Sequence, residues 1–387
     1  MMYECLKDTN TISYNDKYKG CVDMTHKQQY SLHTDLAVEA KEMYVEGKEK
    51  SKQQIDGIDE QYKQYKGIDV TRTMINAQAA KKIQKEPGCY ITIHSEDLNQ
   101  GDTTEQHHIE NVLAKEIEWL IHEHNITEEA VGLIVGLGNL RVTPDALGPK
   151  TSEKILVTNH LFTLEDYDVT QGYRPVSTIA PGVMGTTGME TMEIIQGIVK
   201  EHEPDFLIAI DALRARAVSR LNETIQLSDT GIHPGSGIGN KRKGLSEDTL
   251  GIPVFAIGVP TVVDAVTITN DAIENVLRHF GKAWKDQDRP SQSLAPSGFH
   301  FGKSKLSEED KPERKEQQSL LGIFGTLTHE EKQAFIHEVL TPLGANLIVT
   351  PKNVDAFMDD MSDILANGLN QALHANITPD NSNAYTK

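Results

Sequence analysis

Two aspartates stand where an apolar run gives way to a turn: Asp145 after VGLIVGLGNLRVTP, and Asp211 at the end of PDFLIAI. Carboxylates delivered to the rim of one sheet can divide acid–base work, one activating water and the other donating a proton. Partial burial raises the pKa of such a group, and a like charge beside it raises one of the two further. Each has a plainer reading as well. Asp145 suits a helix N-cap, and Asp211 suits an ion pair with Arg214 or Arg216. His233 lies in the glycine-rich SDTGIHPGSGIGNKRK. Loops of that kind can aim backbone N–H groups at an anion or a developing oxyanion. Alternatively, His233 with Asp145 and Asp211 makes a metal site with open positions; a long connection between strands is the third reading.

Other constellations carry less. Gly136-Leu137-Gly138 follows a strand, but a dinucleotide fingerprint needs its third glycine where this chain has Arg141. Ser236 lacks the spacing of a nucleophile elbow. Asp264, in PTVVDAVT, reads as a helix cap.

The elements that must hold these residues follow from apolar periodicity. TDLAVEAKEMYVEG from Thr34 reads as a helix capped by Thr34, with Leu36, Ala40, Met43 and Tyr44 on one face. Lys48 to Lys66 is charged and glutamine-rich, and reads as a loop or an exposed segment. Cys89–Ser95 alternates like a strand, and the helix after it is capped by Asp102 and Glu105, with Ile109, Val112, Leu113, Ile117, Leu120 and Ile121 in phase. Strands are then expected at 131–137, 176–179, 206–210, 224–229 and 253–260. Helices are expected between them at 145–162, 187–202 and 264–280, and two more at 328–340 and 354–374. Short apolar runs separated by helices predict an α/β fold: a mainly parallel or mixed sheet with helices on both faces.

Composition sets the outer bounds. The chain has 387 residues, 38% hydrophobic and 25% charged, ordinary values for a globular protein. A net charge of −19 argues against direct nucleic-acid binding, and Lys241-Arg242-Lys243 is the one compact basic cluster. No apolar run reaches the length of a membrane span, and MMYECLKDTNTISY lacks a secretory core, so a cytoplasmic location is expected. Cys5, Cys21 and Cys89 have neither disulfide nor zinc spacing. Residues 1 to about 30 read as poorly ordered, and Met1, Met2 or Met24 is the start.

Long stretches also carry a resemblance: TDLAVEA, VGLGNLRVTPDALGPK, RPVSTIAPGVMGTTGMET, PDFLIAIDALRAR, SDTGIHPGSGIGNKRK, GIPVFAIGVPTVVDAVTIT and HEVLTPLGANLIVTPK. Together they resemble the germination proteases of spore-forming bacteria, endopeptidases that degrade small acid-soluble spore proteins at germination. The likeness runs from Ser31 to the end. It implies a zymogen that removes its own N-terminal segment at a site like the substrate motif, acid–(Phe/Ile)–Ala–Ser–Glu. That motif maps onto Asp35-Leu36-Ala37-Val38-Glu39, with the cut at Asp35–Leu36. The family's essential aspartates match Asp145 and Asp211, which makes this an atypical aspartic-type peptidase without the D-T/S-G loops of pepsin. The resemblance further implies a fold like that of hydrogenase-maturation proteases, a homotetramer, a place in the spore core and no cofactor. Because hydrogenase-maturation enzymes engage a metal through acidic residues and a histidine, a metal-dependent peptidase using Asp145, Asp211 and His233 is the alternative. Residues 1–35 then form a propeptide and 36–387 the peptidase domain, with a polar insertion at about 285–318. Two departures bear on the start and on self-cleavage: the leader is longer than usual, and His33 stands where an arginine is common.

Overall fold

The computed structural model describes residues 34–46, 55–99, 103–162, 171–233, 244–286, 310–340 and 347–382. Nine strands form one mixed sheet: β1 Ile58–Tyr65, β2 Ile68–Ile75, β3 Gly88–His94, β4 Gly132–Gly136, β5 Val176–Ile179, β6 Phe206–Ala215, β7 Thr224–Ser228, β8 Val254–Asp264 and β9 Ile348–Val349. The order is β1-β2-β3-β7-β8-β6-β4-β5, with β9 on β8. The half β8-β6-β4-β5 is parallel, and β7, β3, β2 and β1 are antiparallel to their neighbours.

Alternation along β6 shows why this part of the chain is a strand buried on both faces. Phe206, Ile208 and Ile210 enter a core capped by the Thr103–Glu123 and Val354–Leu373 helices. Leu207 and Ala209 enter a second core under the Thr191–His202 helix. Side chains of successive strand residues leave opposite faces, so one apolar run serves both layers. The fully buried Phe206 lies against Gly132 of β4, where a Cβ would sit 2.8 Å from its ring. Phe206→Ala is expected to lower unfolding free energy by about 3–5 kcal/mol, measured by denaturant titration; a loss under about 1 kcal/mol would mean that the cavity collapses.

Most expected elements are present, and the differences have physical reasons. Within the stretch from Lys48 expected as a loop or an exposed segment, β1 is an exposed strand, and it forms a hairpin with β2, for which no strand was expected. Lys66 and Gly67 (φ 41° and 89°) make the left-handed turn. β1, IDEQYKQY, is an edge strand with much of its surface in water, so it carries no apolar stripe to read. β6 was expected to stop at Ile210 but runs on to Ala215, because β8 continues to pair with it after β4 has ended. The helix expected at 145–162 breaks into a Thr143–Asp145 turn, a Leu147–Lys154 helix and one turn at Asn159–Phe162.

Asp264 closes β8, and its Oδ1 accepts the Val266 N–H at 2.8 Å, as a cap should. The Ala265–Asp286 helix that follows is longer than expected. Of the polar 285–318 stretch, residues 287–309 lie outside the described residues, as do 1–33, Asp102, the basic cluster at 241–243 and Ser236. Among the described residues no helix is long and apolar enough to cross a membrane.

Candidate active site

Asp145 is fixed by a turn that only glycine permits. β4 ends at Gly136, and the Leu137 N–H still reaches the Ile210 carbonyl at 2.8 Å. Gly138 then adopts φ +117°, and a Cβ on it would lie 2.1 Å from the Asp145 carbonyl oxygen. That carbonyl accepts the Asn139 N–H at 2.9 Å, while the Asp145 N–H donates to Val142 at 2.8 Å. From β8, the Thr261 hydroxyl holds the Pro144 carbonyl at 2.7 Å. The turn is thus closed on its own aspartate rather than open to a pyrophosphate. Nor does Asp145 cap the helix after it, which starts at Leu147 with Ala146 as cap and no side-chain bond.

Asp211 sits just past the end of β4, still in register with Gly258 of β8. Its Oδ1 accepts the Ala212 N–H at 2.8 Å. Arg214, one of the two partners considered for it, lies 3.9 Å from Asp264. The two aspartates share one electrostatic environment. Burial pushes the Asp145 carboxyl up to about 6, against the opposing effect of an Asn139 N–H. Asp211 is raised well above the ordinary carboxyl range, first by burial and then by the neighbouring Asp145 charge, with Asp35 adding to it. Like charges confined in a desolvated site cannot both ionise easily, which is the direction of the Asp211 shift.

His233 lies at the end of the described part of its loop. Its exposed side chain packs against Gly244, and residues 234–243 of its loop lie outside the described residues. Among the described residues no three His, Cys, Asp or Glu side chains are placed to hold a metal ion.

The Asp35–Leu36 segment docks on the far end of β6, the strand that carries Asp211. The Asp35 N–H donates to the Arg214 carbonyl at 3.0 Å, and the Arg214 N–H returns to Asp35 Oδ2 at 2.8 Å. Leu36 is 0% exposed among Leu213, Ala215, Leu221 and Val263. Glu39, also 0% exposed, accepts the Arg216 and Ala217 N–H groups at 2.6 and 2.8 Å. The helix begins at Ala37, and the Thr34 hydroxyl takes the Leu36 N–H at 3.1 Å. Sequence reasoning named Asp35 and Leu36 but not the groups that grip them, Lys85 and Gln226 among them. Main-chain donors leave no trace in composition, and single polar residues on other elements have no periodicity to betray them.

The pattern that defines the family described as germination protease matches residues 37–386, nearly the whole chain. The chain is a member of the germination protease family. A germination protease of Oceanobacillus iheyensis is 54% identical over 360 residues, 92% of this chain and 98% of its own length. Germination proteases from two strains of Bacillus cereus are 54% and 55% identical over 359 residues, with the same coverage. Germination proteases are peptidases, so the chemistry to be explained is hydrolysis of an amide bond.

Proposed function

We propose that this germination protease is a self-processing endopeptidase in which Asp145 and Asp211 activate water against a peptide carbonyl. What supports the reading is placement: the turn bearing Asp145 follows β4, Asp211 lies on the adjacent β6 just past the end of β4, and Asp211 is near enough to feel the Asp145 charge. With one proton between them near neutrality, the ionised member takes a proton from water. The protonated member, Asp211 as the more strongly raised, donates to the departing nitrogen. Both acts lie on an α/β scaffold unrelated to the paired lobes of pepsin-type enzymes.

The chain is made as a zymogen in this reading, with residues 1–35 as propeptide and 36–387 as the peptidase domain. Self-cleavage falls at Asp35–Leu36. Its substrates are small acid-soluble spore proteins, cut at acid–apolar–Ala–small–Glu sites in the spore core, and the working form is a homotetramer. Support for the site comes from the chain itself. The segment resembling the substrate motif lies in ordered contact with the strand that bears Asp211, and its Asp35 charge is felt there.

The test compares the full-length chain with one started at Leu36. Mass analysis of the full-length chain should show a product beginning at Leu36, and the Leu36-started form should cleave a TEFASEF-like peptide at least about 10²-fold faster, the scale set by a positioned acid–base pair. Equal rates would sink the propeptide role, and a different new N-terminus would sink the cleavage site. Because no three His, Cys, Asp or Glu side chains among the described residues are placed to hold a metal ion, treatment with a chelator is expected to leave the peptide assay unchanged; lost activity restored by a divalent cation would overturn the aspartate-only mechanism.

A further inference from the structure

The peptide unit joining Asp35 to Leu36 is gripped by side chains at both of its polar atoms. Lys85 Nζ donates to the Asp35 carbonyl oxygen at 2.9 Å and to the Thr34 carbonyl at 2.8 Å. Gln226 Nε2 donates to the same Asp35 oxygen at 3.3 Å. The far end of the Gln226 amide fixes its orientation: its Oε1 accepts the Ala37 N–H at 2.7 Å, which turns the NH₂ group toward Asp35. On the nitrogen side, the Leu36 N–H donates to the Thr34 hydroxyl, and that hydroxyl donates to Glu39. The Leu36 side chain fills its apolar pocket, so the unit cannot swing away without emptying it.

Anchoring a helix start requires acceptors for its first N–H groups. It does not require two donors, one of them an ammonium, on the carbonyl upstream of the helix. Burial disfavours the charge of Lys85, and the nearby Asp35 and Glu39 carboxylates favour it. A cation kept in such a place, next to an amide donor, is suited to a carbonyl oxygen that becomes negative.

We infer that Lys85 and Gln226 are the donor pair that stabilises the oxyanion formed on the Asp35 carbonyl during self-cleavage. This rests on the reading that the chain cuts itself at Asp35–Leu36. Water adds its oxygen to the Asp35 carbonyl carbon and gives up a proton to the aspartate pair. The carbonyl oxygen takes the electron pair of the broken π bond, and the two donors hold it. Collapse breaks the C–N bond, and the nitrogen of Leu36 leaves with a proton from the pair, giving an Asp35 carboxylate and a Leu36 amine. The ground-state distance from Gln226 is on the long side for a hydrogen bond, and it has room to shorten as the oxygen moves out of the amide plane.

The experiment follows the first-order appearance of the Leu36 product from full-length chain, with thermal midpoints measured on the same samples. Lys85→Met keeps the length of the side chain and removes the donor; it is expected to slow the cut by about 10²–10³-fold without lowering the midpoint. Lys85→Arg restores a donor and should recover at least about tenfold of that loss. Cleavage of Lys85→Met at the wild-type rate overturns the inference. So do equal slowing and equal destabilisation in both variants, the behaviour of a structural anchor. A wild-type product that does not begin at Leu36 removes the underlying reading and this inference with it, and mass analysis tells that case apart.

Discussion

Asp145→Asn and Asp211→Asn are each expected to reduce self-cleavage and peptide cleavage by about 10²–10⁴-fold, the range for loss of a positioned acid or base. Asn preserves the shape of the side chain and the Ala212 N–H contact of Asp211, so folding should survive. It can neither take a proton from water nor deliver one to nitrogen. The two effects should not add, because the residues act as one unit. Retention of more than about a tenth of the wild-type rate by either variant would rule out the pair as the water-activating group.

The second large effect is in pH. The pair gives up its first proton near pH 6, where burial has moved Asp145, and Asp211 holds the second to higher pH. On the acid side kcat/KM should fall about tenfold per unit, so that activity at pH 4 is about 10²-fold below its neutral value. A profile flat from pH 4 to 7 would contradict a base of this pKa.

Stability should run the other way. Between about pH 4, where an exposed Asp titrates, and pH 6, the folded chain keeps a proton that the unfolded chain has released. Stability therefore declines as pH rises through that window, and the still higher pKa of Asp211 extends the decline upward. Asp145→Asn cannot titrate and escapes its share. At pH 7 the variant should be more stable than wild type by up to about 3 kcal/mol, less whatever solvent screens at a half-buried side chain. That advantage should vanish near pH 4. Denaturant titrations at the two pH values measure it, and an equal difference at both would refute the linkage.

A gain in stability on removing a functional group has a direct cause in this fold. Burial disfavours the charge of both Asp145 and Asp211, a position that costs free energy and is kept by rigid surroundings. The left-handed Gly138 and the Thr261 clamp on Pro144 hold one carboxyl in place, and the register of β6 with β8 holds the other.

Much of this was legible in the chain because it depends on local pattern. Runs such as Val131–Leu137 and Phe206–Ile210 announce buried strands, since only segments covered on both faces can be apolar throughout. The spacing of Ile109, Val112, Leu113, Ile117, Leu120 and Ile121 announces a helix with one buried face, and all six are buried. Both aspartates could be named from their position after such runs. β1 was not legible, because an edge strand bathed in solvent has no apolar alternation, whereas β2 does alternate, with Ile68 and Val70 inward and Asp69 outward, and was passed over.

What the amino-acid order determined by itself, then, is the α/β alternation, its buried faces and the family to which long motifs such as VGLGNLRVTPDALGPK belong. Only the tertiary structure decided that β6 outruns β4 and carries Asp211 beyond its neighbour, and that the Asp145 turn closes upon its own main chain. It also decided that Lys85 and Gln226, from distant elements, meet on the Asp35 carbonyl. Periodicity records how each segment meets the core, whereas strand register and contacts between segments are set by where other segments end, which no local window contains.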